Sequence, residues 1–180
     1  MTALFRLHDA VFARLEAAAP WLIPTLARAV FTGVLFAYYW GSATTKLDGG
    51  PFSPSVGAYA QIFPKAMAAA GYDVSELSVL HTAVVLAGTW AEFLLPVLIV
   101  AGLFTRLAAL GMIGFVGLQS WVDVTGHGLG PADIGAWFDR DASALILDQR
   151  AFWALLLLTL VLKGAGPFSA DRILRVLARR

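Results

Sequence analysis

Two ionisable side chains stand inside stretches that are otherwise apolar: Arg28, within about Trp21 to Thr45, and Glu92, within about Leu77 to Phe104. A charge at the centre of a bilayer costs about 2.5–3.5 kcal/mol on insertion scales, so such a residue needs a partner or a task. Counted from the flanks richest in Lys and Arg, Arg28 lies about 10 Å and Glu92 about 16 Å into its segment at 1.5 Å per residue. An arginine side chain bridges that offset, and an Arg28–Glu92 pair is expected. The pair has two readings. It fixes helix register as a buried ion pair, or Glu92 holds a proton or contacts a ligand between helices.

A second set of polar residues falls toward the opposite ends of these segments. Lys46 closes the first, His81 lies one turn inside the second, and Asp123 and His127 stand at the end of a third, about Leu107 to Val124. Four residues apart, Asp123 and His127 share a face if the helix persists through Gly126. Two imidazoles with the carboxylates of Asp123, Asp133, Asp139, Asp141 and Asp148 suit a hard or borderline divalent cation. Their spacing matches no established metal motif, however, and solvated loop acids with an interfacial histidine are the commoner source of such a set. Aromatic residues gather at the same level, at Tyr38, Tyr39 and Trp40, Trp121, Trp137 and Phe138, and Phe152 and Trp153. An interfacial belt accounts for them. They also suit a flat apolar ligand such as a quinone, with Lys46, His81 or His127 as its polar handle.

Helices must position these groups, because a chain of 180 residues that is 59% hydrophobic and 14% charged has more apolar surface than one soluble core can hide. Lipid is the expected cover. Each of four apolar segments is near the roughly 20 residues needed to cross a bilayer core; the fourth runs from about Gln149 to Ala165 and starts either near Asp148 or further back through Ala142 to Leu147. The expected fold is therefore all-α, a single membrane domain over residues 1–180 built as a four-helix bundle. Arg6, Arg14, Arg106, Lys163, Arg172, Arg175, Arg179 and Arg180 would share one side against Lys46, Lys65, Arg140 and Arg150 on the other. The positive-inside bias then puts both termini in the cytoplasm.

Met1 to Ala19 lacks the apolar core of a cleavable signal and is expected to be retained as an interfacial anchoring helix, with Leu4, Phe5, Val11, Phe12 and Leu15 on one side. Ser55–Ala70 has helical spacing and is expected to pack as a short helix on the outer mouth. Small residues recur at Ala29, Gly33, Ala37 and Gly41, at Ala83, Ala87 and Ala91, and at Gly111, Gly114 and Gly117. Such stripes serve close packing inside the bundle or self-association into a homo-oligomer. A net charge of +1 with scattered basic residues gives no footprint for nucleic acid. The absence of cysteine excludes thiol relay and Cys-ligated metal in this chain.

Three stretches together resemble the DoxX family of bacterial membrane proteins. The first is Arg28-Ala-Val-Phe-Thr-Gly33 continuing through Gly41 to Lys46-Leu47; the second is Glu92 followed by Gly102-Leu-Phe-Thr-Arg106; the third is Gly164-Ala-Gly-Pro167-Phe-Ser169-Ala-Asp171. The resemblance spans about Trp21 to Leu174. It implies a four-helix bundle in the bacterial cytoplasmic membrane associated with redox or sulfur metabolism, and it supplies no established catalytic residue. Arg28, Gly33, Gly41, Lys46, Glu92, Arg106, Ser169 and Asp171 match the family pattern. The expected function is an accessory or anchoring subunit of a membrane redox system. No intrinsic cofactor is expected, quinone is the candidate ligand, and a partner protein carries the electrons. A small proton-coupled transporter using Glu92 and Arg28, or an outer-face protein handling a metal or small molecule, are the alternatives.

Overall fold

The computed structural model describes residues 2–179; Met1 and Arg180 lie outside it. The described residues form helices and turns without a strand: α1 Thr2–Thr45, α2 Val56–Ile62, α3 Pro64–Ala69, α4 Val79–Ala101, α5 Thr105–Thr125, α6 Leu145–Lys163 and α7 Ala170–Leu177. Helices α1, α4, α5 and α6 are each long and apolar enough to cross a membrane.

Helix α1 buries Phe31, Leu35, Tyr39 and Ala43, a run spaced by four. On a regular α-helix each step of four residues drifts about 40°, and the stripe would leave the core. A π-helical turn at Thr32–Phe36 absorbs the drift. Its i→i+5 hydrogen bonds take one more residue per turn and keep the four side chains in line. Phe31 and Leu35 close on Ile99 of α4, Met112 of α5, and Leu157 and Leu160 of α6, all at most 1% exposed.

The N-terminal segment differs from the expected separate interfacial helix, since residues 2–19 run without a break into the first span and make α1 44 residues long. At 1.5 Å per residue this is about 66 Å, roughly twice a bilayer core. Pro20 and Pro24 lie inside the helix without ending it, because each removes only one donor. Thr25 Oγ1 adds a bond to Trp21 O at 2.6 Å. The apolar residues Leu4, Phe5, Val11, Phe12 and Leu15 stay exposed.

The outer-mouth helix is two helices, broken where Pro64 starts α3. Ser55 Oγ caps α2 by accepting from Ala58 N at 3.1 Å. Together they bury Ala58, Tyr59 and Met67 against Val85 of α4, and the Tyr59 hydroxyl bonds Thr82 Oγ1 at 2.9 Å. Helix α6 starts at the earlier of its two expected positions with a second π turn, Leu145–Arg150, where Asp148 Oδ2 accepts from Ala144 N at 2.9 Å.

Of the small-residue stripes, the one on α1 faces away from the bundle. Ala29, Gly33, Ala37 and Gly41 are exposed, and a methyl group added at Gly33 or Gly41 would meet nothing within 4 Å. Close packing is made instead at Gly111, against Leu95. One end of the bundle holds the α4–α5 turn and the segment leading to α7, where Gly166 lies against Pro24 and Thr25. The other end gathers the two long connections, with Gly126 against Pro64.

Candidate functional site

Glu92 does not pair with Arg28. Lys46 Nζ donates to Glu92 Oε2 at 2.7 Å and to Oε1 at 2.9 Å, and also to Ser42 Oγ at 2.6 Å. Both side chains of this ion pair are at most 6% exposed. Lys46 is the C-cap of α1, and from there its ammonium folds back one turn over Ser42 onto the facing carboxylate of α4. The geometry holds an ammonium against a carboxylate out of water.

Arg28 is consumed elsewhere. Its Nε donates to Ile99 O at 3.1 Å, one terminal nitrogen to Val100 O at 2.6 Å, and the other to Ala165 O at 2.9 Å and Phe168 O at 2.5 Å. Ile99 is seven residues beyond Glu92, about 10 Å along α4 at 1.5 Å per residue, so one guanidinium cannot serve both. The last carbonyls of a helix have no intrahelical donor and carry the negative end of its dipole, which makes them natural acceptors for a cation.

The same end is sewn together by Asp171. Its carboxylate accepts from Phe104 N at 2.7 Å and Thr105 N at 3.1 Å, capping α5 from α7, while Asp171 N donates to Gly102 O at 2.8 Å. Gly102 turns at φ +67°, and a methyl group there would sit 2.6 Å from Ser169 Cβ and 3.0 Å from Arg28 Cζ. Ser169 Oγ caps α7 by accepting from Arg172 N at 3.3 Å and donates to Gly166 O at 2.8 Å. Exposed Arg106 lies beside Gly164. Residues distributed from Arg28 to Asp171 thus form one knot.

A second ion pair, its arginine buried and its aspartate half-buried, was not singled out from sequence and lies between α5 and α6. Arg150 donates to Asp123 Oδ2 at 2.5 Å and to Ser120 Oγ at 2.9 Å, and is 4% exposed. Its place on the 150, 153, 157, 160 stripe of α6 was the available signal. Tyr39 is 1% exposed, with its ring against Tyr38, Phe115 and Trp153. The Tyr39 hydroxyl, Arg150 Nε and Gln119 Oε1 are buried without a protein hydrogen-bond partner, and Gln119 Nε2 donates to the Tyr38 hydroxyl at 3.0 Å. Together these residues make a polar layer across one half of the bundle.

The expected outer-face ligand set is not brought together. Lys46 binds Glu92 and Asp123 binds Arg150, while His81 Nδ1 accepts from Ser78 N at 3.2 Å at the start of α4 and His127 Nε2 meets Gln61 O at 2.9 Å. Among the described residues no group of three His, Asp or Glu side chains is placed to hold a metal ion. A row of rings, Phe36, Trp40, Phe93 and Trp90, joins α1 to α4 with successive centroids 5.0–5.8 Å apart. No protein-family model matches the chain, and no curated protein or solved structure matches it.

Proposed function

We propose that this multi-pass membrane protein is of the DoxX type and serves as an accessory or anchoring subunit of a redox system in the bacterial cytoplasmic membrane. The system is quinone-linked or acts in sulfur or oxidative-stress metabolism, and the electron-carrying groups belong to a partner protein. The observation that carries this reading is the apolar layer of Phe31, Leu35, Ile99, Met112, Leu157 and Leu160, each at most 1% exposed, between the Arg28 knot and the Lys46–Glu92 pair. Charges tie helices together at two levels, and among the described residues a dry core separates the levels. That arrangement suits a support better than a conduit. Most residues that carry the DoxX resemblance serve the same end, since Arg28, Gly102, Ser169 and Asp171 close one knot and Lys46 and Glu92 the other contact. The aromatic row joining α1 to α4 offers a wall for a flat quinone headgroup.

Purification of the full chain from native membranes in a mild detergent, with mass spectrometry of co-purifying proteins and small molecules, tests the reading. A stoichiometric redox enzyme or bound quinone is the expected result. A homo-oligomer carrying neither would sink it.

The Tyr39 hydroxyl and Arg150 Nε, buried without a protein hydrogen-bond partner, favour a second reading in which the buried Glu92 holds a transported proton. In proteoliposomes containing a pH-sensitive dye, the subunit reading expects the same proton flux from the native chain and from Glu92→Gln. A flux abolished by Glu92→Gln would replace it with the transporter reading.

A further inference from the structure

Helix α7 has an apolar side that the rest of the chain leaves uncovered. At 100° per residue, Ala170, Ile173, Leu174, Val176 and Leu177 occupy one side, while Arg172 and Arg175 lie about 60° apart on the other, with Arg179 in the turn just past the helix end. Ile173 is 63%, Leu174 47%, Val176 50% and Leu177 58% exposed. An apolar face of this size on an eight-residue helix is stable only against lipid or another molecule.

The position of the helix decides between them. Asp171 in its first turn binds the backbone of Gly102, Phe104 and Thr105, and Arg28 holds the carbonyl of Phe168 just before it. Helix α7 is therefore fixed to the turn between two membrane-crossing helices, at the level where their apolar stretches end. Phe168, 74% exposed, directly precedes α7, and Leu162, 62% exposed, stands in the last turn of α6. The three arginines form no ion pair among the described residues; Arg175 Nε reaches only Asp171 O, at 3.2 Å. Arg106 and Lys163 lie at the same end of the bundle.

We propose that α7 lies in the membrane interface and that Arg172, Arg175 and Arg179 bind the phosphates of anionic phospholipids, with Ile173, Val176 and Leu177 immersed among the acyl chains beneath. An amphipathic helix with a basic face binds in this way, and each arginine near an anionic surface strengthens the association about fivefold. Asp171, the acidic side chain of α7 itself, does not compete, because it is already engaged with the α5 backbone.

The absence of native cysteine allows a direct test on the full chain. Val176→Cys, labelled with an environment-sensitive dye, is reconstituted in nanodiscs of phosphatidylcholine alone or with a third of phosphatidylglycerol. The expected result is a blue shift that deepens with phosphatidylglycerol, reverses with salt, and loses its lipid dependence in Arg172→Gln/Arg175→Gln/Arg179→Gln. Native mass spectrometry of the unlabelled chain should show phosphatidylglycerol retained in preference to phosphatidylcholine, and retained about 100-fold less by the triple variant. Inorganic phosphate in excess should not displace it. A dye that stays in water in both nanodiscs would leave the face to a protein partner and overturn the proposal. Equal retention of the two lipids, equal retention by native chain and triple variant, or displacement by free phosphate would overturn it as well. Thermal unfolding of the triple variant in detergent, expected to match the native chain, separates lost binding from lost fold.

Discussion

A carboxylate and an ammonium 2.7 Å apart and out of water depend on each other more than the fold depends on the pair. Removing one partner strands a charge and costs about 3–5 kcal/mol, whereas replacing both by apolar residues of similar volume is often neutral. Thermal unfolding in detergent should therefore show Glu92→Leu strongly destabilised and Lys46→Met/Glu92→Leu restored to near the native midpoint. A double variant as unstable as the single one would mean that the pair itself holds the helices. At Arg28 charge alone does not suffice, because four carbonyls are met by a planar fork. Arg28→Lys should lower stability by several kcal/mol despite keeping the charge. Gly102→Ala should cost more than about 1 kcal/mol, since φ is +67° and the new methyl group would press on Ser169 and Arg28. That Arg28 and Glu92 need partners was legible in the sequence, but which partners was not. An apolar segment does not advertise its terminal carbonyls as acceptors, and Lys46 read as a flanking residue until its side chain was seen to fold inward.

Helix boundaries depend on more than hydropathy. Asp171 supplies the cap of α5 from 66 residues away, with Thr105 N as one of its donors. Asp171→Ala should remove roughly 1 kcal/mol and raise amide exchange in the first turn of α5, a change that hydrogen-exchange mass spectrometry would resolve. Gly33→Ala makes the opposite expectation: the added methyl group meets nothing within 4 Å, and the helix should gain about 0.5–1 kcal/mol. A loss of stability there would mean that the outer face of α1 is covered in the membrane. The four apolar helices were visible as runs of sequence because length and hydropathy suffice to define them. The π turn at Thr32–Phe36 was not, although the 31, 35, 39, 43 spacing carried its trace. Nor was the continuity of residues 2–19 with the first span, because Arg6, Asp9, Arg14 and Glu16 set that segment apart from the apolar run that follows.

Charge separates the two ends of the whole molecule. The α7 end exposes Arg6, Arg14, Arg106, Lys163, Arg172, Arg175 and Arg179 against Asp9 and Glu16, while the other exposes Asp48, Asp73, Glu76, Asp133, Asp139 and Asp141 against Lys65 and Arg140. A positive-inside bias predicts that the α7 end faces the cytoplasm. Single cysteines at Ala178 and Ala142 in this cysteine-free chain should report it: in intact spheroplasts a membrane-impermeant maleimide should label Ala142→Cys and spare Ala178→Cys. The reverse pattern would invert the topology. All-helical architecture was legible at this scale from composition, but the convergence of distant residues on one knot was not, since it is set by how the spans pack. That knot also has a consequence in time. Arg28 enters the membrane with the first span, yet two of its acceptors, Ala165 and Phe168, follow the fourth span and are synthesised after it. Until the fourth span arrives, the arginine is only half solvated by protein, so a ribosome-bound intermediate of three spans should lean on an insertase or on displaced headgroups to remain in the bilayer.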